Sequence, residues 1–105
     1  MKIPKKLKIG GFIWEIKNNE EVNLEANAFG STHFRKQKIF IDPTETQQKK
    51  EQCLIHEVFH AIWWQTGLLE RYKETKEKEE EIIQALSNGL YQVLKDNKLL
   101  RWLWK

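Results

Sequence analysis

The stretch CLIHEVFHAI, residues 53–62, holds two of the chain's three histidines, His56 and His60, with Glu57 directly after the first. Side chains four residues apart share a face only if the segment is helical. With about 100° per residue and His56 at zero, His60 falls at about 40° and Glu57 at about 100°. Leu54, Val58, Ile62, Ile55 and Phe59 fall between about 160° and 300° on the same wheel. A polar face therefore stands beside an apolar one, and the stretch predicts an amphipathic helix whose histidines are kept apart from the core. Thr44 or Thr46 can cap this helix, which runs to about residue 65, and Gly67 is placed to stop it.

On the N-terminal side the hydrophobic period changes from helical to two. Leu7/Ile9 and Phe12/Trp14/Ile16 alternate on either side of Gly10-Gly11. That is a two-residue hairpin signal, because both glycines tolerate positive φ. Val22, Leu24, Ala26 and Ala28 alternate again and predict a third strand. GSTHFRKQ breaks the pattern, and KIFID is a short β-rich run closed by Asp42-Pro43. On the C-terminal side a polar stretch leads into a second helix over about residues 78–95, with Ile83, Leu86, Leu90 and Val93 or Leu94 as its core stripe. Strands first and helices after make an α+β fold: a small antiparallel or mixed twisted sheet of about four strands, then two main helices.

The chain's 105 residues are read as one domain, since neither a repeat nor a Pro- or Gly/Ser-rich linker divides them. A 40% hydrophobic share with five Trp and five Phe supplies a core, and 31% charged residues supply an ionic surface. The net charge of +3 is spread along the chain, with Lys often alternating with Glu. No nucleic-acid face declares itself, and no nucleic-acid partner is expected. A single cysteine, Cys53, excludes an internal disulfide and suits a reducing compartment. No apolar run reaches signal-peptide or membrane-span length, so the expected location is cytoplasmic, without a membrane partner.

Two imidazoles at i and i+4 can bind one zinc ion at ~2.0–2.1 Å. The glutamate between them is out of line with both and can take a proton from a zinc-bound water. Two histidines and a water leave a tetrahedral site incomplete, so a third protein ligand is needed. The acidic candidates are Glu70, Glu74, Glu77 and the run Glu79-Glu80-Glu81. Glu80, three residues before Ile83 and about two turns before Ser87, continues the inward stripe of the second helix. Glu79 is the next choice. The plain reading of the run is a solvated acidic first turn favoured by the helix dipole.

HEVFH followed after about twenty residues by EEEIIQAL resembles the gluzincin clan of zinc metallopeptidases. The strand KIFID before the metal helix, with little beyond the glutamate helix, resembles the minigluzincins, minimal single-domain members of that clan; the likeness covers about residues 5–97. The resemblance implies zinc held by His56, His60 and Glu80, with Glu57 as general base and acid. It also implies an antiparallel edge strand that binds extended substrate. KIFID is the candidate for it, through Lys38, Ile39, Phe40 and Ile41. The family often supplies a Tyr or His to the oxyanion; His33 and Tyr72 are the candidates here, without a motif to support either.

Cys53 falls on the metal side of the wheel, where a packing role is expected over ligation. Trp63 is expected towards the core and Trp64 towards the sheet or the cleft rim. The apolar tail, residues 98–105, is expected to pack on the core, with a dimer contact or a zymogen-like segment lying across the cleft as the alternatives. The expectation is thus a zinc metalloendopeptidase acting on a peptide or protein, as a monomer or weak homodimer. The rival readings are a zinc-containing binding or regulatory module without catalysis, and a peptidase acting on DNA-associated proteins.

Overall fold

A computed structural model describes residues 3–18, 30–73 and 75–99. Among the described residues four strands, β1 (Lys6–Ile9), β2 (Phe12–Asn18), β3 (Gly30–His33) and β4 (Lys38–Ile41), precede three helices, α1 (Gln47–Gln65), α2 (Leu68–Tyr72) and α3 (Lys76–Asp96). The sheet is mixed, in the order β1-β2-β4-β3. Gly10 and Gly11 both take positive φ, 57° and 91°, and close the β1–β2 hairpin in the register Ile9↔Phe12. That is the backbone a two-residue turn between right-twisted strands demands.

Two expectations for the sheet are corrected. First, the segment read as a break holds a strand, Gly30–His33; the strand expected over Val22 to Ala28 lies outside the described residues. Only Gly30 in this strand is buried, and no large apolar residue marks a face, so the strand carries no period-2 hydrophobic signal. Second, Lys38–Ile41 is not an edge strand. β4 pairs in parallel with β2 (Ile16↔Ile39) and antiparallel with β3 (Thr32↔Ile39), so both its ladders are occupied. β3 bounds the sheet on that side among the described residues.

Why β3 can lie so close to α1 is visible at Gly30. A Cβ there would overlap Cys53 Sγ and sit 2.9 Å from the Phe40 carbonyl oxygen and 3.3 Å from Glu57 Cγ. Gly30→Ala is therefore expected to lower stability by about 1–3 kcal/mol through overpacking, read as an earlier midpoint in a urea titration.

Helix α1 starts where Thr46 Oγ1 accepts from the Lys49 N–H at 3.2 Å. Thr44 is not the cap, because its N–H and hydroxyl both turn to Asp42 Oδ1, at 2.9 and 2.6 Å. Gly67, left-handed at φ 81°, separates α1 from α2, a short helix within the stretch read only as polar. One side of α1 meets the sheet, where Leu54 and Ala61 join Ile9, Trp14, Ile39 and Ile41 in the main core. Gln65 fastens that end: Trp14 Nε1–H donates to its Oε1 at 3.1 Å, and its Nε2 donates to the Ile9 carbonyl. The other side of α1 meets α3, where Ile55 and Tyr91 form a second cluster with Phe59 and Leu94 against it.

The α3 stripe is also corrected. Ile83 is buried as expected, but Leu86, Leu90 and Val93 are 53%, 40% and 44% exposed. Ser87 and Tyr91 take the inward positions. Polar contacts explain the rotation: Tyr91 O–H donates to the buried Glu51 Oε1 at 2.8 Å, and Ser87 faces His56. With Gln47 Nε2–H donating to Glu51 Oε2 at 3.2 Å, Tyr91 supplies the donor for the other oxygen of this buried carboxylate. The tail residues 100–105 lie outside the described residues. Among the described residues no helix is long and apolar enough to cross a membrane.

Candidate metal centre

α1 and α3 run side by side and β3 closes over α1 from the sheet side, leaving a cleft of about 880 Å³. His56, Glu57 and His60 from α1, Glu79 and Glu80 from α3, and Gly30, Ser31 and Thr32 from β3 all line it. The i, i+4 spacing brings the imidazoles together as helical geometry requires, with Nε2 atoms 3.3 Å apart. Glu80 spans them: its Oε1 lies 2.5 Å from His56 Nε2 and its Oε2 2.8 Å from His60 Nε2. One ligand atom from each of His56, His60 and Glu80 lies within 4.8 Å of the others.

The outer contacts orient the rings. Glu79 Oε2 lies 2.7 Å from His60 Nδ1, which makes Nδ1–H the donor and turns the Nε2 lone pair inward. Ser87 Oγ donates to the Gln84 carbonyl at 3.3 Å and has a lone pair left for His56 Nδ1–H at 3.4 Å. These tautomers are assigned from the partners. The Nε2 atoms of both imidazoles and the Glu80 carboxylate thus converge on one place. That donor set fits zinc: two neutral imidazoles and one carboxylate are a common catalytic zinc combination.

Glu79 and Glu80 thus divide between two roles that the sequence left open. Glu80 is half exposed and reaches both Nε2 atoms, whereas Glu79 is nearly buried behind His60. Glu79→Gln is expected to weaken zinc binding about 10- to 100-fold without abolishing it. Competition with a chromogenic chelator measures this; an unchanged affinity would show that the contact does not tune the ligand.

Glu57 is 7% exposed, pressed between α1 and β3. Burial pushes its carboxyl pKa up, opposed by a hydrogen bond from Thr32 Oγ1 to Glu57 Oε2 at 2.7 Å and by the nearby histidines. Cys53 packs under Gly30, and burial followed by the charge of Glu57 raises its thiol pKa to about 12. Such a thiol stays protonated at neutral pH, as a packing residue does.

The cleft's far wall is apolar: Phe34 and Trp64 stack at 5.2 Å and 11°, with Leu69 of α2 lining the same space. Trp64 therefore stands at the cleft rim, and Trp63 is half buried. Neither oxyanion candidate is placed for that work. His33 contacts Ser31 Oγ at 3.2 Å and the Phe40 ring, and Tyr72 is 57% exposed; neither lines the cleft. No sequence signal marks Thr32, because its contact with Glu57 depends on β3 meeting α1. Compared with known proteins, the chain matches no family model, no curated protein and no solved structure.

Proposed function

We propose that the protein is a zinc-dependent peptidase of the gluzincin type, with His56, His60 and Glu80 as metal ligands and Glu57 as general base and acid. The observation that carries this reading is the convergence of both Nε2 atoms and the Glu80 carboxylate in a cleft that Glu57 also lines. Zinc held there would acidify water and polarise a peptide carbonyl. Glu57 would accept the proton of the attacking water and pass it to the leaving amine. Its burial serves the first half, because a carboxyl with a raised pKa accepts a proton more readily than an ordinary glutamate. A purely structural zinc site is closed by four protein ligands. Among the described residues three converge, which favours catalysis over a binding module.

The substrate in this reading is an extended peptide. β3, not β4, bounds the cleft, and a peptide can add to that strand through main-chain hydrogen bonds. The apolar wall of Phe34, Trp64 and Leu69 would take an apolar side chain of the same peptide. A lone packed thiol fits a cytoplasmic setting.

Metal analysis of the purified protein, paired with digestion of an unstructured protein before and after chelation, tests the proposal. The expected result is one zinc per chain and cleavage that chelation removes and zinc restores. A protein that takes up no zinc sinks the reading; cleavage indifferent to chelation sinks its catalytic half.

A further inference from the structure

We infer that Thr32 is the positioning residue for Glu57, an inference that rests on the peptidase reading of the metal centre. A carboxylate that takes a proton from water works best with one oxygen held and the other aimed at the reactant, because a small misplacement costs rate. Thr32 Oγ1–H donates to Glu57 Oε2 at 2.7 Å, so Oε1 is the oxygen left for proton transfer.

The Glu57 carbonyl oxygen lies 3.2 Å from the same hydroxyl. A hydroxyl has one proton, and the shorter, charge-assisted contact takes it. Both acceptors belong to Glu57, so Thr32 sits against the backbone and the carboxylate of the base together. Threonine suits this place better than serine alone would, because its branched Cβ restricts χ1.

The rest of β3 is built to allow the contact. Gly30 and Thr32 share the face turned to α1, whereas Ser31 and His33 point to the opposite face and bond each other. The missing Cβ at Gly30 lets the strand approach until the Thr32 hydroxyl reaches Glu57. The strand that bounds the cleft therefore also holds the base.

Thr32→Val keeps the shape and removes the hydroxyl, and Thr32→Ser restores the hydroxyl. Thr32→Val is expected to lower kcat about 10- to 100-fold with KM and zinc content unchanged. Thr32→Ser is expected to recover most of that loss. In metal-free protein the side-chain carboxyl carbon resonance of Glu57, followed by NMR, should move in Thr32→Val and stay in Thr32→Ser. Wild-type kcat in Thr32→Val overturns the inference, as does an equal loss in both variants, which would mark a packing role. If the wild type neither takes up zinc nor cleaves peptide, the peptidase reading fails by itself. The resonance still decides the contact in that case: a shift confined to Thr32→Val supports it, and identical resonances overturn it.

Discussion

Glu57→Gln is expected to take up zinc as the wild type does and to lose about 10²- to 10⁴-fold in kcat, the usual share of a general base. The amide is nearly the same size and can still accept from Thr32, so the cleft keeps its form. What it cannot do is take a proton from water. A steady-state assay beside a metal determination checks both halves, and equal cleavage by the two proteins would remove Glu57 from the mechanism.

The same substitution has an opposite effect on stability, with a defined sign. Burial raises the Glu57 pKa in the folded chain above its unfolded value. The folded state therefore binds the proton more tightly, and the associated stability is present below the unfolded value and lost as pH rises through the folded one. In metal-free protein at neutral pH the buried carboxyl costs stability, as buried charge or as proton uptake, that glutamine does not. Metal-free Glu57→Gln should then melt above the wild type at neutral pH, with the gap closing as pH falls below the ordinary glutamate range. Thermal melts in chelator across that window read it; a gap independent of pH contradicts the electrostatic account.

The second large effect is expected at Glu80. Zinc at about 1,000 times its dissociation constant stabilises a folded chain by about 4 kcal/mol. For a chain of this size that corresponds to a rise in Tm of roughly 15–30 °C. Glu80→Ala removes the oxygens that face both Nε2 atoms and should abolish nearly all of the zinc-induced rise. His60→Ala should do the same. Glu79→Gln should keep a reduced rise, because its contact is with the outer nitrogen of His60. Calorimetry with and without zinc separates these outcomes, and a full rise in Glu80→Ala would show that another residue is the third ligand.

What could be read in advance follows the range over which each decision is made. The i, i+4 histidines, the Gly10-Gly11 hairpin and the Gly67 stop are decided within a few residues, by helical periodicity and by the φ that glycine allows. Leu86 and Leu90 show where such reasoning fails. Their hydrophobicity marks them as core, yet buried Glu51 and half-buried His56 draw Tyr91 and Ser87 inward and turn both leucines towards solvent. Polar satisfaction between two helices outweighs apolar pattern within one.

The sequence by itself determined the histidine helix, the placing of Glu57 out of line with the histidines, and the α+β order of elements, because all three follow from local periodicity. Only the tertiary structure decided that Glu80 faces both imidazoles while Glu79 stands behind one of them. It alone made β3 rather than β4 the strand that bounds the cleft, and it alone put the Thr32 hydroxyl on Glu57. The reason is common to all of these. A carboxylate's place depends on which nitrogen it meets, and a strand's place on its neighbours, and both are settled by segments far apart in the chain.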